Sequence, residues 1–346
     1  MQPELERYSR QILFAPIGEA GQQQLLRSRV LLCGCGALGS SIADGLTRAG
    51  VGFLRLVDRD FVELSNLQRQ VLFDEQDIAD QLPKAVAAGR KLARINSSIQ
   101  IEPIVADVDH TNILRLADGV DLIIDGLDNF ETRFLINDAS LATGIPWIYG
   151  GCIGSHGQTM TIVPGQTACL RCLMDSVPPP GTTETCDTAG VIGPAINVVA
   201  ALQVTSALKL LSGRREEIEP VLTIVDVWDG TLRQMSVRNL REQSNCAACL
   251  RGERAWLSGD RRAQTTVLCG RNAVQVSPDQ PLSLSLTELT RKLSAAGRVT
   301  SNAFLLRLRP SETEYELTVF VDGRTIIKGT NDPAIARGLY ARYVGN

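Results

Sequence analysis

The chain has 346 residues but only two histidines, His110 and His156, so a mechanism built on a histidine base has little to draw on. Aromatic residues make up only 5%, which leaves the core to Ala, Val, Ile and Leu. A basic excess is missing too. The 35 Lys plus Arg stand against 38 Asp plus Glu for a net charge of −3, which argues against a protein built mainly to hold nucleic acid. The opening residues MQPELERYSR contain no apolar run, so no signal peptide is expected. The longest apolar stretch, 191–211, is interrupted by Pro194, Asn197, Gln203 and Lys209 and reads as a buried helix rather than a membrane span. Nine cysteines, an odd number in a long chain with no leader expected, disfavour a disulfide framework. A reducing cytoplasm is the expected compartment, with the thiols free for metal binding or reactivity.

What is present is an alternation of elements. Short apolar runs at 29–33, 53–57, 99–105 and 120–125 read as strands. Helical patterns lie between them, at about 37–49, at 83–95 with proline in the first position, and at 130–143. This predicts an α/β fold with a mainly parallel, Rossmann-like sheet. After residue 145, strands at 147–149, 158–163 and 221–237 predict an antiparallel extension, interrupted by a loop-like crossing at 173–190 that carries three consecutive prolines. The expected organisation is a first domain over 1–250, with its nucleotide part at about 1–145 and its antiparallel, crossing-loop and cysteine part at about 146–250. A charged linker at 251–265 and a small α+β domain at 266–346 follow.

Gly34-Cys-Gly36-Ala-Leu-Gly39 fits G-x-G-x-x-G between a strand and a helix, the context in which glycines let a backbone approach phosphate and the helix N-terminus offers free N–H groups. Asp58 ends the next strand, where a carboxylate can bind ribose hydroxyls. The pattern points to a nucleotide and does not separate NAD from ATP; a tight turn without ligand is the alternative. Ser65, Asn66, Arg69 and Gln70 place polar side chains just beyond. Lys84 sits in the first turn of a helix, a position the helix dipole disfavours for a cation unless an anion is near. With Arg69 it can hold a polyphosphate; singly, each is equally an ordinary surface cation. Asp125 and Asp128 follow a predicted central strand, where a carboxylate can carry Mg²⁺, and Asp128-Asn129 can also cap the next helix.

Cys169-x-x-Cys172 and Cys246-x-x-Cys249 are two matched pairs, the donor set of a closed, structural Zn²⁺ site pinning distant segments together; unrelated free thiols are the alternative. Cys33 and Cys35 read as small packing residues. Cys186 differs: it lies in the polar crossing loop, where exposure favours thiolate chemistry, or where it is an incidental loop cysteine. Cys152 and Cys269 carry no pattern.

Taken together, Arg7-Tyr-Ser-Arg-Gln11, the Gly34–Gly39 loop, Asp58-Arg-Asp60, Ser65-Asn-Leu-Gln-Arg-Gln70, Lys84, Asp128-Asn129, both C-x-x-C pairs and Thr185-Cys-Asp-Thr-Ala-Gly-Val-Ile-Gly-Pro194 resemble the E1-like adenylyltransferases of the MoeB/ThiF/HesA group. The match covers about residues 5–250, and the tail resembles the extension of longer ThiF-like proteins. The sequence departs from the family pattern at Ala37, where a third glycine is usual, and at Gly126-Leu127 before Asp128. No rhodanese-like tail is expected, so the sulfur is expected from another protein.

The resemblance implies ATP- and Mg²⁺-dependent adenylation of the C-terminal Gly-Gly carboxylate of a ubiquitin-like sulfur carrier, ThiS- or MoaD-like, ahead of thiocarboxylate formation. The sulfur would come from a donor such as a cysteine desulfurase. It also implies residue roles. Gly34, Gly36, Gly39, Asp58, Asp60, Ser65, Asn66, Gln70 and Asn129 bind the nucleotide; Arg69 and Lys84 stabilise the transferring phosphoryl group; Asp128 carries Mg²⁺. Arg10 acts on the neighbouring subunit of a homodimer, and Cys186 bonds the carrier. In-line attack on a phosphate calls for cations rather than a base, which suits a chain with two histidines. The competing readings are an inactive E1-like scaffold and a nicotinamide oxidoreductase. Neither nucleic acid nor membrane is an expected partner.

Overall fold

Computed as a structural model, the protein is described over residues 3–176, 189–260, 265–268, 272–278 and 282–344. They divide into two units, Met1–Arg261 and Arg262–Asn346.

The first unit is built on eight strands: β1 (Arg29–Cys33), β2 (Phe53–Asp58), β3 (Gln100–Val105), β4 (Leu122–Asp125), β5 (Trp147–Ile153), β6 (His156–Ile162), β7 (Val221–Asp226) and β8 (Thr231–Ser236). Their order is β3-β2-β1-β4-β5-β6-β7-β8. The pairs from β3 to β5 are parallel and those from β5 to β8 antiparallel. The apolar runs explain the centre. β4 (LIID) is buried along its whole length, as a parallel strand covered on both faces must be. Crossovers run through α1 (Ala37–Ala49), α2 (Lys84–Ile95) and α3 (Phe130–Thr143). Pro83 caps α2 from outside, so Lys84, not the proline, is its first helical residue. The apolar run at 221–237 is two strands, reversing at Asp229-Gly230 where Gly230 takes a φ of +65°.

The long apolar helix α4 (Gly193–Leu211) buries Ala195, Ile196, Val199, Ala200, Gln203, Ala207 and Leu211. It approaches α1 so closely that a Cβ at Gly45 would lie 3.0 Å from Val204. Its length and hydropathy would suffice to cross a membrane, but this buried face belongs to the sheet's helical layer.

The segment expected as a linker is largely not one. Trp256 and Leu257 pack on the apolar core between the sheet and α3. The Trp256 N–H donates to Asp138 Oδ2 at 3.0 Å, and its ring lies 5.5 Å from that of Phe134. The charged residues around it disguise two apolar anchors.

The second unit is a six-stranded antiparallel sheet of β9 (Thr265–Leu268), β10 (Ala273–Val276), β11 (Gly297–Ser301), β12 (Leu305–Pro310), β13 (Glu316–Phe320) and β14 (Thr325–Lys328). Its order is β11-β12-β13-β14-β10-β9. Alternating residues of β10, β12, β13 and β14 form one core with α5 (Leu286–Leu293) and α6 (Pro333–Tyr343).

Candidate functional site

The register of the parallel strands builds the site. Cys33 at the end of β1 is paired with Val57 on one side and Asp125 on the other, so the turns that follow β1, β2 and β4 open side by side. The Gly34 N–H donates to Val57 O at 2.8 Å, and the Gly126 N–H to Cys33 O at 2.8 Å. Gly34 takes a φ of +90°, and a Cβ there would lie 2.6 Å from Gly126 O. A Cβ on Gly126 would lie 2.7 Å from Gly34 O and 2.8 Å from Gly39 Cα. These glycines are required by one another. Gly36 is different: a Cβ there would meet nothing closer than Gln70 Nε2 at 3.9 Å, and as N-cap of α1 it supplies no side-chain cap. The protein leaves space and free helix N–H groups at that point, as a phosphate requires.

Charged groups gather around this cradle. Asp58 accepts hydrogen bonds from Cys35 N at 2.6 Å and Asp60 N at 2.7 Å, which fixes its carboxylate beside the loop. Burial pushes its carboxyl up, and Lys84 opposes that shift. Lys84 is 3% exposed, with Nζ 3.2 Å from Asp60 Oδ2, and its N–H donates to Asp60 O at 2.8 Å. A cation is therefore buried in the first turn of α2, held there by a carboxylate. Asn66 is buried and accepts from Glu63 N at 3.1 Å; Gln70 is buried with Oε1 unpartnered. Arg69 is half-buried and donates to Ser65 O at 2.9 Å, while Ser65 itself is exposed. Burial, then Asp58, pushes the Cys35 thiol up, and Cys33 and Cys35 are both fully buried: packing residues, as expected.

Of the two carboxylates after β4, the structure separates the roles. Asp125 is 0% exposed and is no open metal ligand. Its Oδ2 accepts from Arg133 Nε at 2.8 Å and from Gly150 N at 3.2 Å, and its Oδ1 from Leu127 N at 2.8 Å. Burial pushes its carboxyl up against the opposing pull of Arg133. Arg133 also donates to Leu127 O at 2.6 Å and Gly150 O at 2.8 Å, and Gln203 of α4 donates to Asp125 O at 2.9 Å. These bonds fix the turn that presents Asp128, which is exposed, and Asn129, which caps α3 by accepting from Thr132 N at 2.9 Å. Sequence reasoning missed Arg133 and Gln203. Arg133 had a signal, an arginine one turn beyond a helix cap and eight residues after a strand-end aspartate.

Arg133→Met would leave Asp125 buried without its cation. We expect a loss of about 3–5 kcal/mol in stability, read as a lower thermal midpoint, with partial recovery in the double variant that also carries Asp125→Asn. A loss below about 1 kcal/mol would contradict the lock.

Elsewhere in the first unit, Cys169 is the N-cap of a short helix, Leu170–Leu173, that contains Cys172, and Cys246 and Cys249 lie on a turn reached across β7 and β8. Their sulfurs all lie within 4.8 Å of one another, with Cys169–Cys246 at 3.6 Å, Cys172–Cys249 at 3.4 Å and Cys169–Cys172 at 3.8 Å. A tetrahedron with Zn–S arms of about 2.3 Å has edges of about 3.8 Å, so the four thiols fit Zn²⁺. Contacts among the thiols, that from Cys169 foremost, pull the Cys172 thiol down. It is the sole four-cysteine cluster among the described residues. Cys186 lies outside the described residues, as does Cys269. Arg10 is exposed on a short helix, Ser9–Ile12, anchored by its neighbours: Asn96 donates to Tyr8 OH at 2.8 Å and Gln11 donates to Ala49 O at 2.9 Å.

Comparison with known proteins places these features in context. A sequence model of the ThiF family matches residues 8–306. The chain is 45% identical over 340 residues to the sulfur carrier protein ThiS adenylyltransferase of Bacillus subtilis, covering 98% of this chain and 99% of that one. It is 39% identical over 249 residues to the SAMP-activating enzyme E1 of Haloferax volcanii, covering 72% of this chain and 90% of that one. Among solved structures, Escherichia coli MccB with ATP shares the fold at a TM-score of 0.61 and 24% identity, covering 70% of this chain and 74% of that one.

Proposed function

The chain belongs to the ThiF family, and from that premise we propose that it adenylates the C-terminal Gly-Gly carboxylate of a ubiquitin-like sulfur carrier, using ATP and releasing pyrophosphate. A carboxylate is a poor electrophile until one of its oxygens becomes part of a good leaving group. Its oxygen attacks the α-phosphorus of ATP; the bond from that phosphorus to the bridging oxygen breaks, and pyrophosphate leaves with the electron pair. Negative charge gathers on the transferring phosphoryl group, so fixed cations lower the barrier.

One observation carries the reading: Lys84, a cation buried in the first turn of a helix, stands beside the open glycine cradle at Gly36 and the ribose-binding candidate Asp58. In this reading Asp58 takes the ribose. Asp60, Ser65, Asn66, Gln70 and Asn129 line the nucleotide site, and Lys84 and Arg69 hold the phosphates. Asp128 would hold Mg²⁺, whose charge would screen the phosphate oxygens. Asp128 is the carboxylate suited to that, because Asp125 is committed to Arg133.

Arg10 reaches a neighbouring copy's phosphates in a homodimer. The support for a second copy is that Leu13 and Phe14, which directly follow the Arg10 helix, are large apolar side chains left exposed. The sulfur comes from a separate donor such as a cysteine desulfurase, and Cys186 is the thiol that bonds the carrier, its sulfur attacking the acyl-adenylate carbonyl as the bond to AMP breaks and AMP leaves.

The test is ATP–pyrophosphate exchange with ThiS-like and MoaD-like carriers. Exchange is expected with one of them and is lost when its terminal glycine is deleted. Exchange independent of that glycine would overturn the reading.

A further inference from the structure

Asp60 serves two cations at once. Its Oδ2 faces Lys84 Nζ at 3.2 Å, and its Oδ1 lies 3.9 Å from Arg59 Nε. The Arg59 guanidinium is held from its far side, where Nη1 donates to Asp107 Oδ2 at 2.9 Å. Arg59 follows β2 and Asp107 follows β3, and the register that pairs Asp58 with Val105 brings them together. Both side chains are largely covered, 22% and 27% exposed. The surroundings are acidic. Asp128 also acts on Arg59, and burial and then Asp107 push the Glu131 carboxyl up. None of the roles assigned above uses Arg59 or Asp107.

We propose that Arg59, tethered by Asp107, is a positioning residue of the triphosphate site, holding Asp60 in place when Lys84 turns from that carboxylate to the phosphates. The proposal rests on the adenylation reading. A lysine that already neutralises a buried carboxylate gives up that pairing when it moves to a ligand, and the carboxylate left behind is costly unless another cation remains. Arg59 is that cation. Its planar fork spans two carboxylates at once, as a lysine ammonium does not, and the Asp107 contact keeps it from following Lys84 to the nucleotide.

The test is calorimetric titration of the full chain with MgATP, without any carrier. Arg59→Gln is expected to weaken binding roughly tenfold and Asp107→Asn by a smaller factor, with Arg59→Lys recovering part of the loss. In a Lys84→Gln background the Arg59→Gln change should alter binding less than about twofold, because Arg59 acts through Lys84. Thermal midpoints of the Arg59 and Asp107 variants should stay near the parent value, which separates positioning from loss of fold. Unchanged MgATP binding in Arg59→Gln, or the same loss in both backgrounds, would overturn the proposal. A parent chain that binds MgATP but exchanges no pyrophosphate would sink the adenylation reading alone, and the cycle would still decide the role of Arg59. A parent chain that does not bind MgATP would overturn both.

Discussion

Lys84→Ala is expected to reduce carrier-dependent ATP–pyrophosphate exchange by about 10²–10³-fold, the scale on which removing one preorganised charge-stabilising donor slows a transfer reaction. The loss follows from placement. Lys84 is 3% exposed, it begins α2 at a fixed point because its own backbone N–H donates to Asp60 O, and its ammonium lies 3.2 Å from Asp60 Oδ2 and acts on the ribose candidate Asp58. Once Lys84 has turned to the bound phosphates, a cation in a covered site needs little further reorganisation when the phosphoryl group acquires negative charge. The fold should survive. Asp60 keeps Arg59 3.9 Å away, so its carboxylate is not left without a cation. The thermal midpoint measured beside the exchange rate should therefore move by only a few degrees. Exchange within about tenfold of the parent would mean that the transferring charge is stabilised elsewhere.

The second large effect lies at the four cysteines. Cys172→Ser or Cys249→Ser opens a site that ties two segments about 75 residues apart, a closure worth about 4–5 kcal/mol by chain entropy alone. Core packing depends on the same tie, because Cys169, Cys172 and Cys246 belong to the apolar cluster with Phe134, Trp147 and Leu170. The purified chain should hold one zinc per protomer, and stripping it with a strong chelator should lower the thermal midpoint as far as either substitution does. A chain free of zinc whose midpoint a chelator leaves unchanged would contradict the site.

Much of this was legible where the signal is local. The glycine loop, the strand-end Asp58, the lysine in a helix's first turn and the two C-x-x-C pairs each announce themselves within a few residues. The rest depends on pairing between distant segments. Arg59 meets Asp107 only because β2 and β3 align in a particular register, 48 residues apart in sequence. Asp125 and Asp128 look interchangeable in the sequence; burial beside Arg133 commits one and leaves the other exposed. Composition misleads at 251–260, where arginines and acidic residues conceal Trp256 and Leu257, which fasten the segment onto α3. In the family resemblance the tyrosine and glutamine flanking Arg10 are motif positions. In the structure their work is mechanical, bonding the arm to Asn96 and Ala49.

The central claim is the transfer of AMP to a carrier's terminal carboxylate. The most direct measurement is intact-mass spectrometry of a ThiS-like or MoaD-like carrier incubated with this chain, ATP and Mg²⁺. The account predicts a carrier heavier by one adenylate, formed only with ATP and only when the terminal Gly-Gly is intact. A chain that binds ATP yet leaves every such carrier at its original mass, with no pyrophosphate released, would contradict it.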